Sequence, residues 1–537
     1  MKKIYYVVIV LAIFFIALFG FIVPQQGGNI SSTELYADQL AAADYNETLP
    51  IQTVDLSASG RSIFIAFVML SHVVFANLHL GGAWVAAGTE SIYLRTKKER
   101  FNRLARSITL FNVILFSAGA TFAVAGVLFF ISLFPVFAFE AFHIYWWPLL
   151  AEAITFGFEI FFLYTYWFSW GKISNGWHQF LGYAFAIDVF FQTLFINTLA
   201  SGMLTPGASS IGWGEAGLLT MSLQSLMSWW INATTWILQF HRLAAAVSFF
   251  GFLVAMLAMF HYLDRGDPAS KTYWDLVGSL GLSWGLLGLI FQPVLGLIFM
   301  FTIFKNNVQA FRMIMLGNRA WEMVLMVGLL SALFISVLVY YVDRKERIFS
   351  MPENMRLQRL FRTFIVVAVI SAFILVQPAT TSFGVNPLGF MSFKLIALFI
   401  LTAIGAVSLG VDLVVLRARP EVETTLTQPS GSILSPSGLQ QPQVEWGNLS
   451  ETSRSFLWLS GLLGTAIVIV MGFVRESGRS PFVISQIIPV PGGQAYPTPI
   501  PVAQIVIVWI LVLVMVVSIF WFTSRVTAEH PEEAEEI

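Results

Sequence analysis

Two histidines, His72 and His79, stand inside RSIFIAFVMLSHVVFANLHLGGAWVAAGTESIY (Arg61 to Tyr93), an apolar run long enough to cross a bilayer. A histidine at that depth has little water to bond with, so it needs a protein partner or a ligand. The seven-residue spacing is about two helical turns, which puts both rings on nearly the same face. His72 is therefore either a buried polar residue bonded to a neighbouring helix or a cofactor ligand. The Gly81-Gly82 pair beside it would let something bulky approach the backbone.

Other polar residues lie where a membrane makes them expensive. Glu152 and Glu159, in PLLAEAITFGFEIFF, are also seven residues apart and share a face, ~10 Å apart along the helix axis. Few basic groups are expected at that depth, so a proton path or a cofactor-site carboxylate accounts for them better than ion pairing. Asp188, about halfway down the next apolar run, could extend such a path or simply bond a neighbour's hydroxyl. His241 and Met323 fall near the starts of two helices running in the same direction. Facing each other, a His and a Met can ligate one low-spin haem, and the Met would raise its potential. Met323 alone would be ordinary core filler. Glu90, His178 and His261 fall at inner helix ends, where an interfacial structural role is the default. His143, beside Tyr145, Trp146 and Trp147, belongs to an outer aromatic belt.

The elements that must position these residues are membrane helices. Hydrophobic residues make up 57% of the chain and charged ones only 11%, which places it among polytopic membrane proteins. A net charge of −1 implies no nucleic-acid partner. There is no cysteine, so any metal centre must use His, Met or carboxylate. The spacing predicts an all-α bundle of about twelve crossings: 1–24, 61–93, then about 107–134, 148–170, 180–200, 236–263, 276–303, 319–342, 360–377, 388–416, 457–474 and 505–524. Basic loops such as RTKKERFNRLAR (Arg95 to Arg106) and DRKER from Asp343 mark the cytoplasmic side, while Arg319, Arg475 and Arg479 are assigned to outer loops. Both termini are then cytoplasmic and the location is the cytoplasmic (inner) membrane. The expected organisation is an anchor at 1–24, an exoplasmic polar segment at 25–60, a core at 61–342 and two further helices at 343–419. A low-complexity linker at 420–456, a helix pair at 457–524 and an acidic tail at 525–537 complete it.

In order and spacing, these segments resemble subunit I of the cytochrome bd oxidases. SHVVFANLHLG resembles the segment carrying the family's axial histidine for a high-spin haem, which implies that role for His72. PLLAEAITFGFE with the downstream FSWGK resembles the helix of two carboxylates near the high-spin haems and the proton entry, here Glu152 and Glu159. FHRLAAAVSFFGF and AWEMVLMVG resemble the helices that ligate the low-spin haem, here through His241 and Met323. GFVRESGRSPF resembles an outer-face Gly-Arg-x-Pro-aromatic motif with Arg479 as its arginine. The resemblance implies a low-spin haem b, one or two high-spin haems (b and/or d), oxygen as acceptor and a second membrane subunit.

The chain also departs from the family. The family's helix before the Gly-Arg motif carries a glutamate that ligates the second high-spin haem, and the alignment puts an apolar residue at or next to Val470. No long quinol-binding loop fits between Phe304 and Arg319. The expectation is a bd-like terminal oxidase subunit fed from the outer face by quinol, a cytochrome c or another redox protein, with protons delivered along Glu159 and Glu152. An electron conduit without oxygen chemistry, favoured by the change near Val470, and a haem-free transporter or scaffold are the alternatives. His79 either packs or replaces the ligand lost near Val470.

Overall fold

The computed structural model describes residues 58–207, 223–264, 268–317, 319–348, 355–377, 392–413, 446–480 and 482–489, with single positions at 510, 512 and 514. The expected anchor at 1–24, nearly all of the polar segment at 25–60, most of the linker at 420–456, most of the last crossing at 505–524 and the tail at 525–537 lie outside the described residues. Those described form α1 (Ala58–Thr96), α2 (Glu99–Leu133), α3 (Pro135–Ile144), α4 (Trp146–Phe168), α5 (Asn175–Leu204), α6 (Leu223–Trp230) and α7 (Thr235–Asp264). Then follow α8 (Pro268–Asn306), α9 (Val308–Leu316), α10 (Trp321–Ile348), α11 (Met355–Leu375), α12 (Ser392–Val411) and α13 (Glu451–Arg479), and a hairpin of β1 (Phe482–Ile484) and β2 (Ile488–Pro489).

Among the described residues nine helices are long and apolar enough to cross a membrane: α1, α2, α4, α5, α7, α8, α10, α12 and α13. Each coincides with an expected crossing, and the chain is a multi-pass helical bundle. The expected crossing at 360–377 is the helix α11, which is not among those nine.

Long helices pack here without a hydrophobic drive between them, so small residues decide how close they come. The most extensive contact is α7 on α8. There Gly251 faces Gly281 and Gly285, and a Cβ on Gly281 would sit 2.7 Å from the Ala255 nitrogen. Gly81 and Gly82 work in the same way. A Cβ on Gly81 would fall on the Ala246 carbonyl of α7, and one on Gly82 would meet Phe250 at 2.7 Å. What approaches the glycine pair is therefore the neighbouring helices, α7 and, at Gly82, Asn112 of α2.

Polar side chains fix the helix ends. Asn307 accepts from the Ala310 amide at 3.0 Å to cap α9, while its Nδ2 donates to the Leu204 carbonyl and to Ser485 Oγ. This ties α5, α9 and the hairpin together at one end of the bundle, the end that the charge pattern assigns to the outer face. At the other end Ser450 caps α13 by accepting from Ser453 N at 2.9 Å. The aromatic belt is split by the fold. Trp146 and Trp147 are exposed, but Tyr145 is fully buried edge-on against Trp229. Its hydroxyl lies against Gly202, and burial pushes the phenol far above its ordinary pKa.

Candidate functional site

One cavity of about 620 Å³ runs between α1, α2, α4, α5, α7 and α13 toward the hairpin end. Its walls are mostly Phe, Ala, Val and Leu, and most of the site residues expected from sequence open onto it. His72, His79, Glu152, Glu159 and Arg479 all line it, brought together from α1, α4 and α13.

The two α1 histidines have different surroundings. His72 Nδ1 lies 3.1 Å from the Gly119 carbonyl, so the tautomer that donates there leaves Nε2 for the cavity. A backbone carbonyl that holds one ring nitrogen and leaves the other for a metal is the usual way a metal-ligating histidine is oriented. His79 is buried, with its Nε2 2.6 Å from Glu159 Oε1. The approach is not along a ring N–H direction, and neither nitrogen of His79 has an aligned hydrogen-bond partner. Phe116 and Phe185 flank its ring at 5.9 and 5.3 Å. His79 thus sits between two aromatic rings with a carboxylate oxygen against its Nε2.

Glu159 is buried, and Glu152, one face-repeat nearer the hairpin end, is half-buried. Glu152, Asp188 and His72 all lie within electrostatic reach of Glu159. Asp188 is buried on α5 with its Oδ2 unpartnered, behind the cavity wall and not on it.

His241 and Met323 do not open onto this cavity. His241, on α7, faces α8. Its ring lies 6.1 Å from Phe299 at 29°, and Gly296 stands opposite, where a Cβ would meet Cε1 at 3.3 Å. The His241 Nδ1 is buried and has no hydrogen-bond partner. Met323, half-buried on α10, belongs to the main core, and Met326 lies three residues on, on the same helical face. Helices α7 and α10 both pack on α13 but make no extended contact with each other.

Three residues that the sequence left in loops or passed over complete the cavity. Arg242, next to His241, donates from Nε to Asn77 Oδ1 at 2.9 Å and from Nη1 to Asn197 Oδ1 at 2.8 Å. Arg475, assigned to an outer loop, points back inside and donates from Nη2 to the Ala200 carbonyl. Glu476 lines the cavity and pairs with Arg479 Nη2 at 2.7 Å. Val470, where an apolar residue was expected in place of a glutamate, is buried in the core, and the carboxylate that α13 presents to the cavity, Glu476, lies six residues later. The signal for Arg242 was present: an arginine well inside an apolar run needs a partner. The inward turn of Arg319 and Arg475 had no sequence signal, because both sit at helix ends where a loop charge is equally natural.

The inner-end residues form a separate cluster. Glu90 Oε1 lies 2.6 Å from His178 Nδ1, its Oε2 accepts from the Tyr166 hydroxyl at 2.7 Å, and Trp170 covers His178 edge-on at 4.4 Å. His261 stacks on Trp274 at 4.1 Å.

The donor set fits haem. Two half-buried histidines, His72 and His241, each retain a ring nitrogen without a protein partner, in largely apolar surroundings. No cluster of three or more His, Asp or Glu side chains suited to a bare metal ion occurs among the described residues. A haem would need only one or two axial ligands from the protein.

A multi-pass helical bundle enclosing one apolar cavity lined by histidine, carboxylate and arginine defines a class of membrane redox proteins. The family model for cytochrome bd terminal oxidase subunit I matches residues 61–531, and the chain belongs to that family. It is also similar to the bd oxidase of Geobacillus thermodenitrificans, at 14% identity and a TM-score of 0.54, over 88% of this chain and 98% of that one. At that identity the likeness speaks for the fold. A search of curated proteins finds no match.

Proposed function

We propose that this cytochrome bd-type subunit carries haem and reduces oxygen, and that His72 would hold a haem in the main cavity and His241 a low-spin haem. The observation that carries the reading is His72: a histidine anchored by the Gly119 carbonyl at 3.1 Å, lining a largely apolar cavity together with acids and arginines. Haem iron, when bound, supplies the electron transfer and the oxygen chemistry.

The residues of the chain do the rest. The Gly119 carbonyl fixes the His72 tautomer and orients its ring. The apolar walls exclude water, so a proton must travel on side chains. Glu159 can hold one at Oε1, against His79 Nε2, and Glu152 on the same face of α4 offers the next stop toward the hairpin end. Asp188 lies behind the wall within reach of Glu159 and can supply protons from the opposite side. Glu476, paired with Arg479, is the candidate second carboxylate ligand that was expected to be missing. The case for an electron conduit without oxygen chemistry rested on that missing residue and is correspondingly weaker.

Met323 and Met326, half-buried side by side on α10, are the candidates that would hold the same haem as His241. The short link through α9 in place of a long loop favours a protein donor such as a cytochrome c at the outer face. A second membrane subunit would cover part of the apolar exterior. Reduced-minus-oxidised spectra and a haem count per chain on the purified protein test the reading. Two or three haems and oxygen uptake support it, and a protein without haem absorbance overturns it.

A further inference from the structure

The arginines of the cavity are unevenly paired. Four guanidiniums line it near the hairpin end: Arg242, Arg319, Arg475 and Arg479. Two of them have carboxylates, Arg319 through Glu322 at 2.8 Å and Arg479 through Glu476 at 2.7 Å. The other two have none among the described residues. Arg242 spends its Nε and Nη1 on the neutral amide oxygens of Asn77 and Asn197. Arg475 gives Nη2 to a backbone carbonyl, and its Nε has no partner at all. The two lie within electrostatic reach of each other, and Glu476, also near Arg475, is already committed to Arg479. Glu152 and Glu159 stand on α4, and neither makes an ion pair with an arginine.

Both arginines are half-buried and line the cavity. Arginine cannot shed its proton, so two guanidiniums without a carboxylate partner in a largely apolar chamber are suited to an anion. The anchoring is stiff. Asn197, which receives Arg242, itself donates to Gln239 Oε1 at 2.5 Å, and Gln239 donates to Thr193 Oγ1 at 3.0 Å and to the Phe190 carbonyl at 2.8 Å. Arg242 is thus held by α1 and α5 with part of its fork still open, arranged in advance for a partner. A guanidinium fork matches a carboxylate, and the remainder of the chamber is apolar.

We infer that Arg242 and Arg475 together seat a ligand bearing two carboxylates on a large apolar body, one carboxylate to each arginine. The two propionates of a tetrapyrrole have that chemistry, which rests on the haem reading above; a free dicarboxylate shares the charged half of it.

The test uses the full chain purified in detergent from cells starved of haem precursors, with binding read by quenching of tryptophan fluorescence. The probes are iron-free protoporphyrin IX, which has no metal for His72 to ligate, and its dimethyl ester, in which both carboxylates are blocked. The free acid is expected to bind at least about tenfold more tightly than the ester, the size of one charge-assisted hydrogen bond. Arg242→Gln and Arg475→Gln are each expected to remove about that tenfold preference, with Arg→Lys restoring part of it. In haem-loaded protein the same Gln variants should lose haem faster to an apomyoglobin scavenger, which covers the case where haem-starved protein folds poorly. If succinate raises the thermal midpoint of wild type but not of the variants, and the porphyrin ester binds as well as the acid, the ligand is a free dicarboxylate. Equal binding of acid and ester, no succinate effect and unchanged haem loss in both variants would overturn the inference. A chain that carries no haem yet still prefers the acid porphyrin would sink the oxidase reading and leave this one standing.

Discussion

The two ends of the bundle both bury charged residues, and they do so in opposite ways. At the end marked by the basic loops, Glu90 is met on both oxygens by His178 and Tyr166, and Asp275 is met by Arg344 at 2.9 Å and by the Gly447 amide at 2.8 Å. Rings lie against their partners, Trp170 on His178 and Trp446 on Arg344. At the hairpin end, His72 and Arg475 keep ring or guanidinium nitrogens without partners beside an open cavity. The same residue types therefore carry different meanings. A buried charge with its partners in place holds helices together, whereas a group of buried charges left incomplete around a chamber is arranged for something that enters it.

The contrast can be broken most severely at His72. His72→Ala is expected to remove one haem per chain while the helical circular dichroism stays unchanged. Retention of the full haem complement would return His72 to the class of packed core residues. Next in size is Glu159→Gln, which keeps the shape but not the charge beside His79. Oxygen uptake is expected to fall roughly 100-fold, the usual scale for losing a positioned acid–base group. The haem count should not change, so an unaltered rate would remove the α4 carboxylates from the proton path.

At the other end Arg344→Ala should cost about 3–5 kcal/mol, because it leaves Asp275 buried without its cation. That loss should appear as a lower thermal midpoint with an unaltered haem spectrum, and a spectral change would show the inner end to be functional after all. The smallest effect is expected from Gly296→Ala, whose new Cβ would press on His241 Cε1 at 3.3 Å. The ring must yield by a few tenths of an ångström, so the low-spin band should shift or broaden without loss of haem. Met323→Leu and Met326→Leu, compared by the same spectrum, decide which methionine stands opposite His241.

Much of this was legible in the chain itself. Period and apolar length identify the nine described crossings, because a helix in lipid must satisfy its own backbone and therefore announces its length. His72, His79, Glu152 and Glu159 were visible as polar residues at membrane depth, and their seven-residue spacing put each pair on one face. That faces the same way was enough to group them into one cavity, but it could not say what each side chain touches.

Those contacts depend on which helices meet, and only the tertiary structure decided them. It gave His79 to Glu159, Gly81 to the backbone of α7 and Tyr145 to the core. It turned Arg475 and Arg319 inward from positions that looked like loops, and put Glu476 in the cavity where Val470 had suggested a gap. Periodicity is a property of one helix and is written along it. Whether the charges of a membrane cavity are balanced depends on six helices at once, and no single segment of the chain carries that sum.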